Sequence, residues 1–492
     1  MNELFSVEQM YAADAAAVEA GVAGLTLMEN AGRGITKQIT ERFKSCPVLI
    51  LCGPGNNGGD GYVAARLLSK MGWNVRVLAF GDPETLRGDA AEMYRLYRGD
   101  VGSLTGASDY EGEELLIDAV FGAGFRGDLP SPVACLLQRS KKEGAAVVAV
   151  DVPSGINGAS GEVSEGAIAA DLTVTFFRAK TGHYLLPARE YIGELAIIDI
   201  GIPEDVLDDL DIRVLKNDPS LWWDQMAQPE MTGHKYSRGH LAVCGGGVSA
   251  TGAARIAARC GLRAGAGAVT VVSPPSALMI YSTALEAVMV TAIKDAGELE
   301  DWLRAKRIGA VVIGPGSGVT ERTREFVLAA LQTSATVILD ADALTVFQDD
   351  PETLFEAIHD KKSGEVVLTP HEAEFARLFN VSGHNLEKCK KAAKISGAVT
   401  LLKGATTVVA SPSGDAVLNV NAPPWLATAG SGDALAGLIG GLILGGSSAF
   451  MAVSGAVWVH GEAGNLFGRG LIAEDIEGKI PEIFQKLDDK CA

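Results

Sequence analysis

The chain has 492 residues, of which 47% are hydrophobic and 21% are charged, and its formal net charge is -19. This length exceeds that of one ordinary hydrophobic core, so we expect a globular protein with two or three domains. The negative charge argues against nucleic acid or an anionic membrane as a partner, because both bind clustered Lys and Arg.

The first half of the chain predicts two N-terminal helices followed by a parallel sheet. Ser6 and Gln9 have the spacing of a capping box before an Ala-rich helix, and a second helix is predicted over 25–43. Apolar β-like runs that alternate with helical segments then indicate βαβ units. The predicted segments are a strand over 47–52, a loop over 53–61, a helix over 62–71, and strands over 74–80, 115–120, 146–150 and 195–200.

Three of these strands end in polar or glycine-rich loops. The loops are GPGNNGGDG after 47–52, GAGFRGD after 115–120 and DVPSG after 146–150. Ligands bind at the carboxyl ends of parallel strands. The three loops therefore predict one crevice.

The paired asparagines of the first loop offer neutral side-chain oxygens. Together with Asp118, Ser154 and nearby carbonyl groups, Asn56 and Asn57 are suited to a monovalent cation or a ribose-phosphate. The alternative is that Asn-Asn-Gly-Gly forms a tight turn, with Asp60 as the N-cap of the next helix.

Asp151 follows an apolar strand and is the acid-base candidate of the first half. The apolar run predicts partial burial, and burial raises the pKa of a carboxyl toward neutral pH. Alternatively, Asp151 is a structural cap on the turn formed by residues 153–155.

The second half predicts another series of βαβ units after an acidic, irregular stretch. That stretch places the boundary at residues 215–228, and the predicted domains are 1–215 and 225–492. No repeat relates the loops of the two halves. The predicted strands are 241–244, 268–272, 311–313, 337–339, 366–368 and 400–402, with a hairpin that joins 407–410 to 416–420.

The segment 428–437, TAGSGDALAG, carries one aspartate from a Gly/Ser loop into an apolar helix. Backbone N–H groups at a helix N-terminus bind anions. Asp433 is suited to deprotonate a substrate hydroxyl while these amides stabilise a transferring phosphoryl group. The alternative is an ordinary turn and N-cap.

Other strand ends of the second half carry charged side chains. Lys403, in KGATT, supplies a cation beside amides and hydroxyls that suit a diphosphate, although the segment is also typical of a turn. His371 is either a catalyst or a structural residue. Asp340 and Asp342 either orient Mg²⁺-bound waters or cap a helix.

Cysteine usage and hydropathy bear on the compartment. The seven cysteines are odd in number and form no Cys-x-x-Cys pair, which predicts reduced thiols and a cytoplasmic protein. Residues 1–10 lack the pattern of a secretory signal. Residues 437–459 are uncharged and long enough to span a bilayer, but residues 445–448 predict a helix stop and an N-cap, hence two buried helices.

The loops and strand ends described above belong to longer sequence blocks, and the order of these blocks resembles that of the NAD(P)H-hydrate repair family. In this family a YjeF-type epimerase domain is fused to an ADP- or ATP-dependent dehydratase domain of the ribokinase-like superfamily. In the first half the matching blocks are LMENAGRG, CGPGNNGGDGYVAARLL, LIDAVFGAGFRGDLP, VAVDVPSGING and GELAIIDIGIP. In the second half they are HKYSRGHLAVCGG, GAGAVTVVSP, GPGSG, DADAL, TPHEAEFARL, LLKGATTVV and ATAGSGDALAG. The resemblance covers nearly the whole chain and implies two three-layer α/β domains, Rossmann-like in the first half and ribokinase-like in the second.

The resemblance implies that the first domain interconverts the R and S epimers of hydrated NADH or NADPH. The second would dehydrate the S epimer, with Asp433 activating the C6 hydroxyl for attack on ADP, so that AMP and phosphate are released. Asp151 would be catalytic in the first domain. K⁺ and Mg²⁺ are the implied cofactors.

The resemblance also implies a set of contact residues for each domain. The epimerase substrate positions would be Asn56, Asn57, Gly58, Gly59, Asp60, Gly122, Ala123, Gly124, Phe125, Arg126, Gly127, Asp128 and Asp151. The potassium ligands would be Asn57, Asp118 and Ser154. The dehydratase substrate positions would be Ala253, Gly316, His371 and Asp433. The nucleotide positions would be Lys403, Gly404, Ala405, Thr406, Thr407 and Gly432.

Two other interpretations are a ribokinase-like vitamin or sugar kinase, and a first half that is a non-catalytic binding module. The attached epimerase-like half argues against the kinase, and Asp151 with the Asn56–Asn57 pair argues against the binding module. We expect a homo-oligomer that acts on a small molecule, prefers ADP to ATP, and binds neither nucleic acid nor a membrane.

Overall fold

The computed structural model describes residues 2–106, 110–226 and 234–491. They divide into two units, Glu3–Val214 and the residues from Leu215 onward. Residues 215–226, which the sequence pattern assigned to the boundary, therefore belong with the second unit. Each unit is built on a largely parallel sheet, which confirms the predicted α/β class.

The first unit contains a parallel sheet and helices that cover it. Its described strands are β1 (Leu4–Phe5), β2 (Pro47–Cys52), β3 (Asn74–Ala79), β4 (Val101–Ser103), β5 (Leu115–Ala119), β6 (Ala146–Val150), β7 (Leu172–Phe176), β8 (Ala179–Lys180) and β9 (Glu194–Ile198). Its described α-helices are α1 (Val7–Glu19), α2 (Gly24–Arg42), α3 (Asn56–Lys70), α4 (Gly88–Leu96) and α5 (Ser131–Lys142). The main sheet has the order β4-β3-β2-β5-β6-β7-β9, with every pairing parallel.

Alternate residues of the central strand β2 enter two different hydrophobic cores. Val48, Ile50 and Cys52 pack into one core, and Leu49 and Leu51 pack into the other. A strand is apolar on both faces when helices cover both faces of its sheet. The continuous apolar run of β2 thus explains the three-layer arrangement of this unit.

The helix after β2 begins earlier than predicted. The sequence pattern predicted a loop over 53–61, but α3 starts at Asn56. A Cβ atom on Gly58 would lie 2.0 Å from the carbonyl oxygen of Gly53, so only glycine lets the helix approach the strand end this closely. Asp60 consequently lies inside the helix, and its predicted role as an N-cap is wrong.

The second unit contains a larger sheet that is parallel except at one edge. Its described strands are β10 (Val214–Lys216), β11 (His240–Cys244), β12 (Ala268–Ser273), β13 (Met289–Ala292), β14 (Ala310–Ile313), β15 (Thr336–Leu339), β16 (Val366–Leu368), β17 (Val399–Leu402), β18 (Thr407–Ala410) and β19 (Ala416–Asn419). Their order is β10-β19-β18-β17-β16-β15-β14-β11-β12-β13. The antiparallel pairings of β17 with β18 and of β18 with β19 confirm the predicted hairpin.

Helices form two layers in this unit as well. Its described α-helices are α6 (Gly252–Arg263), α7 (Leu278–Ala284), α8 (Ala296–Ala305), α9 (Glu321–Leu331), α10 (Asp342–Thr345), α11 (Pro351–His359), α12 (Glu372–Leu378), α13 (Asn385–Ser396), α14 (Ser431–Ile443), α15 (Ala449–Phe467) and α16 (Ala473–Cys491). Helices α6, α14, α15 and α16 pack together in one layer, and α8, α9, α11 and α13 pack together in the other.

Predicted helix ends are confirmed in both units. The Gln9 N–H donates to Ser6 Oγ at 3.1 Å and the Ser6 N–H donates to Gln9 Oε1 at 2.8 Å, which completes the capping box of α1. Ser448 caps α15, so the apolar run over 437–459 is divided between two helices as predicted. Among the helices of the described residues, none is both long enough and apolar enough to cross a membrane.

Helix α14, which carries Asp433, is held against α6 by close backbone packing. A Cβ atom on Gly437 would lie 2.0 Å from the carbonyl oxygen of Ala257. We expect Gly437→Ala to destabilise the second unit by about 1–3 kcal/mol, because the two helices must move apart. The shift in the urea midpoint, followed by tryptophan fluorescence, measures this loss, since Trp222, Trp223, Trp302, Trp425 and Trp458 lie in this unit.

Gly478→Ala is the matched control for this prediction. Gly478 lies inside α16, and a Cβ atom there would meet no atom within 4 Å. We expect this variant to be more stable by about 0.5–1 kcal/mol, because alanine has the higher helix propensity. Equal effects of the two substitutions would contradict the packing explanation.

Candidate functional site

The three predicted loops of the first unit meet at the carboxyl ends of β2, β5 and β6. Together with residues of α1 and β8 they line a cavity of about 830 Å³. The loop residues in its wall are Asn56, Asn57, Asp60, Val120, Phe121, Gly122, Ala123, Gly124, Phe125 and Asp151. The predicted crevice is therefore present at this edge of the sheet.

Asp118 and Ser154 tie two of these loops together. The buried carboxylate of Asp118 accepts hydrogen bonds from the Ser154 hydroxyl at 2.6 Å and from the Ser154 N–H at 2.7 Å. The Ser154 hydroxyl oxygen accepts from the Phe121 N–H at 2.9 Å. Burial raises the pKa of Asp118, and the bonds from Ser154 oppose that effect. This network fixes the loops that follow β5 and β6.

Asn57 faces these loops from the first turn of α3. A Cβ atom on Gly122 would lie 3.0 Å from Asp151 Oδ2 and 3.5 Å from Asn57 Oδ1, so the three residues are neighbours. The Nδ2 atom of Asn57 is buried and has no hydrogen-bond partner among the described residues. Buried amides are normally paired, so this atom marks a place for a ligand in the cavity wall.

The other predicted epimerase positions lie outside the cavity lining. Gly58 packs against the end of β2, and a Cβ atom on Gly59 would lie 2.6 Å from Met28 Sδ. Arg126 and Asp128 are in the loop beyond the cavity wall, where the Gly127 carbonyl accepts from the Ser164 hydroxyl at 2.8 Å. The structure thus brings together most, but not all, of the predicted contact residues.

Asp151 has an unusual backbone conformation at the end of β6. Its φ is +65°, in the left-handed region that non-glycine residues rarely adopt. Its Oδ2 accepts from the Ala123 N–H at 2.7 Å and its Oδ1 accepts from the Thr175 hydroxyl at 2.9 Å. Strain of this kind persists where the surroundings hold a residue in place, and it is concentrated at functional sites.

Lys180 and His183 brace Asp151 from the opposite side. Lys180 Nζ donates to Asp151 Oδ1 at 2.8 Å, and the Lys180 N–H donates to His183 Nδ1 at 2.9 Å. His183 Nε2 therefore carries the ring proton and donates it to the Asp151 carbonyl at 2.8 Å. Burial lowers the pKa of His183 to about 4, so the ring is neutral at neutral pH.

The expectation of a raised pKa for Asp151 is wrong. Burial acts to raise this pKa, but the charge and hydrogen bond of Lys180 outweigh burial and lower the pKa of Asp151 to about 2. Asp151 is therefore ionised at neutral pH. It offers a fixed negative charge to the cavity and is a poor proton donor.

Two further carboxyl groups line the same cavity. Asp14 projects from α1, and burial raises its pKa to about 6. Asp60 is 7% exposed, and burial together with Asp151 raises its pKa well above the usual value. The cavity thus contains an Asp151 carboxyl with a lowered pKa together with two carboxyls whose pKa is raised.

In the second unit, Asp433 lies in the first turn of α14, as predicted. Gly430 precedes the helix with a φ of +84°, a conformation that favours glycine. The N–H groups of Gly432 and Asp433 belong to the first turn, where intrahelical acceptors are missing. Burial and the charge of Asp340 raise the pKa of Asp433 to about 6, while Lys403 opposes them.

Lys403 joins the strand ends that face Asp433. Its Nζ donates to Asp340 Oδ1 at 2.7 Å, and the same oxygen accepts from the Thr369 hydroxyl at 2.7 Å. A Cβ atom on Gly432 would lie 3.5 Å from Lys403 Nζ. Burial acts to lower the pKa of Lys403, but the charge of Asp340 outweighs it and the pKa is raised. A charged lysine therefore lies at the N-terminus of α14.

The loop 314–318 is closed by the segment that carries Asp340 and Asp342. A Cβ atom on Gly314 would lie 1.7 Å from the carbonyl oxygen of Asp340. The Gly318 N–H donates to Asp342 Oδ2 at 2.8 Å. The two aspartates thus position a glycine-rich loop beside the Lys403 site.

The predicted dehydratase substrate positions fall into two groups. Ala253 and Gly316 are neighbours, since a Cβ atom on Gly316 would lie 3.3 Å from Ala253 Cβ. The backbone of His371 pairs with that of Lys403 in an isolated parallel bridge. His371 therefore lies beside the lysine that faces Asp433. His371 Nδ1 accepts hydrogen bonds of 3.1 and 3.3 Å from two N–H groups of α12, so it has the structural role of an N-cap.

The predicted nucleotide residues 403–407 form the tight connection between β17 and β18. The Thr407 hydroxyl donates to the carbonyl oxygen of Gly404 at 2.9 Å, and Thr406 and Thr407 are buried. Gly404 and Ala405 are exposed. The turn therefore presents exposed backbone next to the lysine.

Lys180, His183 and Asp14 were not predicted as site residues. Lys180 and His183 follow the apolar strand β7 in the segment AKTGH, where a cation and a histidine enter buried surroundings. Asp14 is one carboxyl in an Ala-rich helix, next to the buried Ala13. Polar groups at buried positions of an apolar pattern are the signal that could have identified them.

Comparisons with known proteins match both halves of the chain. One family model, described as YjeF-related protein N-terminus, matches residues 24–182, and another, described as NAD(P)H-hydrate dehydratase, matches residues 241–481. With the observed sheets, they confirm the predicted pair of α/β domains, the first of the YjeF N-terminal type and the second of the NAD(P)H-hydrate dehydratase type.

Relatives match over nearly the full length. The bifunctional NAD(P)H-hydrate repair enzyme of Moorella thermoacetica is 34% identical over 95% of this chain and 94% of its own. The enzyme of the same name from Coxiella burnetii is 32% identical over 97% of this chain and 98% of its own. An ADP/ATP-dependent NAD(P)H-hydrate dehydratase from Bacillus subtilis, co-crystallised with ATP and Mg²⁺, is 28% identical, covers 53% of this chain and 94% of that chain, and has a TM-score of 0.47.

Removal of Lys180 tests the electrostatics of the first site. Lys180→Met leaves the Asp151 charge buried without a partner, and we expect the first unit to lose on the order of 3–5 kcal/mol of stability at pH 7. The double variant Lys180→Met/Asp151→Asn should recover most of this loss. Calorimetric unfolding of the parent, both single variants and the double variant measures the coupling.

The pH dependence of stability gives an independent check. In the parent, the lowered pKa of Asp151 stabilises the folded state above its unfolded pKa, and this contribution is lost as pH falls toward about 2. In Lys180→Met, burial raises the pKa of Asp151, so stability should fall as pH rises. Equal stability of the single and double variants at pH 7 would contradict the ion-pair explanation.

Proposed function

The chain belongs to the family of bifunctional NAD(P)H-hydrate repair enzymes, and we propose that its first unit epimerises the hydrated dinucleotide and its second unit dehydrates the S epimer. One observation carries this assignment. In each unit an aspartate at the carboxyl edge of the sheet lies near an ion-paired lysine: Asp151, in a loop, near Lys180, and Asp433, in the first turn of α14, near Lys403. The full-length match to relatives with both domains supports the pairing of the two activities.

Dehydration requires activation of the C6 hydroxyl, because hydroxide is a poor leaving group. Asp433 takes the hydroxyl proton, and the oxygen attacks the terminal phosphoryl group of ADP, which releases AMP. The ring nitrogen lone pair then expels phosphate from C6, and loss of a C5 proton restores the dihydronicotinamide. A pKa of about 6 suits this role, since Asp433 is ionised at neutral pH and still a competent base.

We assign the hydrate to Ala253, Gly316, His371 and Asp433 and the nucleotide to residues 403–407 with Gly432. The Lys403 charge and the free N–H groups at the N-terminus of α14 provide the positive potential that phosphates require. ADP is the proposed donor. Of the two Mg²⁺ candidates, Asp342 would orient the waters bound to Mg²⁺, because carboxylate oxygens suit this ion and Asp340 is already paired with Lys403. Mg²⁺ supplies charge neutralisation of the transferring phosphoryl group.

In the first unit, the fixed charge of Asp151 would stabilise positive charge that develops on the ring during epimerisation. The proposed contact residues are 56–60 and 122–128 with Asp151. K⁺ would be held by Asn57, Asp118 and Ser154, a carboxylate, hydroxyl and amide set that suits a hard cation. Support comes from the buried Asp118 carboxylate and from Asn57 Oδ1, which faces the loop after β5. The unpaired Asn57 Nδ2 is a hydrogen-bond donor and would instead meet an acceptor of the substrate. K⁺ supplies a positive charge that offsets Asp118.

Location and assembly complete the proposal. The described cysteines are all free thiols, in agreement with the proposed cytoplasmic location. The partner of the chain is the small-molecule hydrate of NADH or NADPH. The homo-oligomeric state stays a prediction, which light scattering of the purified protein measures directly.

A mixture of epimers tests both activities. We expect equal amounts of R and S hydrate, with ADP, Mg²⁺ and K⁺, to be converted fully to reduced nicotinamide with AMP formed. With Asp151→Ala, only the S half should disappear rapidly, and the R half should follow at its spontaneous rate. Absorbance at the reduced-nicotinamide band, with separation of the epimers by chromatography, provides the measurement. No conversion by the parent with either ADP or ATP would favour a vitamin or sugar kinase instead.

Asp433→Asn tests the base of the second unit. We expect dehydration of the S epimer to fall on the order of 10²-fold to 10⁴-fold, because the amide cannot accept the hydroxyl proton. In the parent, the rate should rise with pH through about 6 as Asp433 ionises. Interconversion of R and S by the first unit serves as the internal control. Dehydration within a few-fold of the parent would remove Asp433 from this role.

A further inference from the structure

The cavity of the first unit contains more carboxyl groups than cations. Asp14, Glu19, Asp60, Asp89 and Asp151 line it, and Lys180 is the lysine in its wall. Lys180 is committed to Asp151, with Nζ 2.8 Å from Asp151 Oδ1. Neither Asp14 nor Asp60 has an ion-pair partner among the described residues. Like charges in a confined site raise one another's pKa, which favours a proton on a carboxyl that lacks a cation partner.

The surroundings of Asp14 place it at this cavity rather than on a free surface. It shares the cavity with charged or titratable groups from the elements around it: Tyr11 and Glu19 from α1, Asp60 from α3, Asp89 from α4, Asp151 from the loop after β6, and Lys180 from β8. A Cβ atom on Gly124 would lie 2.7 Å from Tyr11 Oη, so α1 borders the same loop that contacts Asp151. Asp14 and Asp151 thus share one cavity.

We propose that Asp14 is the proton-transferring residue of the first unit, giving a proton to the C6 hydroxyl of the hydrate and receiving one from the water that replaces it. This inference rests on the proposed epimerase function. Asp14 transfers the proton and Asp151 supplies a fixed negative charge, because the environments of the two carboxyl groups shift their pKa values in opposite directions.

The reaction balances without any further reactant. Asp14 protonates the C6 hydroxyl, the C6–O bond breaks, and water leaves. The ring nitrogen lone pair forms a C=N double bond, and the positive charge is stabilised by the ionised Asp151. Water then adds to the opposite face of C6, and its proton returns to Asp14. The product is the other epimer, and the enzyme is unchanged.

The other carboxyl groups are less suited to this role. Asp151 is a poor proton donor because Lys180 lowers its pKa to about 2. Asp60 is 7% exposed inside α3, so its carboxyl has less access to a bound ligand than the half-buried Asp14. Glu19 is exposed at the end of α1, and the Asp89 carboxylate lies against Gly24 at the start of α2, whereas the charge of Asp151 reaches Asp14. Asp14 has a pKa of about 6, close to neutral pH, which suits both donation and acceptance of a proton.

The test uses the full-length protein and the R epimer alone, with ADP present so that the second unit consumes S as it forms. We expect the epimerisation rate of the parent to fall above pH 6, because protonated Asp14 is required for C–O cleavage. Asp14→Asn should lower this rate on the order of 10²-fold to 10⁴-fold after subtraction of the spontaneous conversion, and it should abolish the decline with pH. Asp14→Glu should restore part of the rate together with the decline.

Two controls separate folding from chemistry. Glu41→Gln removes a charge from the exposed end of α2, outside the cavity lining, and should leave the rate and its pH profile unchanged. Calorimetric unfolding of Asp14→Asn should keep the parent's transition for the first unit, which shows that this unit is folded. An Asp14→Asn rate within threefold of the parent, or a reduced rate that keeps the parent's pH decline, would overturn the role of Asp14. No turnover of R by the parent would instead overturn the epimerase function itself.

Discussion

Both sites depend on one constraint. Because helices cover both faces of each parallel sheet, charged side chains can reach a ligand only at the strand ends. Strands such as β2 are apolar on both faces because helices cover both faces of the sheet. The first polar positions after β5, β6 and β15 are therefore where charge can meet a ligand. Asp118 and Asp340 are buried at these ends, and the loops that follow carry the groups that line the two sites. The function of each unit follows from what its strand-end loops bring together.

Each unit gathers more than one carboxyl group in a partly buried site, and both units reduce the repulsion between these groups in the same way. In each unit a lysine neutralises one carboxylate: Lys180 pairs with Asp151, and Lys403 pairs with Asp340. A second carboxyl nearby, Asp14 or Asp433, has no ion-pair partner among the described residues, and its pKa is raised to about 6. The first carboxylate keeps a fixed charge, and the second can exchange a proton near neutral pH. Fixed charge and mobile proton are thus assigned to different residues in each site.

The sequence allowed most of the fold and many site residues to be predicted, because strand-end loops follow directly from the apolar pattern. The early start of α3 could not be predicted, because Asn-Asn-Gly-Gly is typical of a turn and the helix depends on the contact of Gly58 with Gly53. The pKa of Asp151 was predicted with the wrong sign, because it is set by Lys180, which lies 29 residues later in the chain. Local pattern predicts burial, but it does not identify the partner that tertiary structure brings to a buried charge.

The two proton-exchanging carboxyls must begin their reactions in opposite states. Asp433 acts as a base and must be ionised, whereas Asp14 acts first as an acid and must be protonated. Since both pKa values are about 6, a rise in pH favours dehydration and disfavours epimerisation. The R epimer can be repaired only after conversion to S, so the supply of S limits repair at higher pH and its consumption limits repair at lower pH. The balance of the two activities therefore depends on the pKa of Asp14 and on that of Asp433. Each of these pKa values is set by the lysine and the carboxylate that lie nearby, so neither active site alone determines the balance.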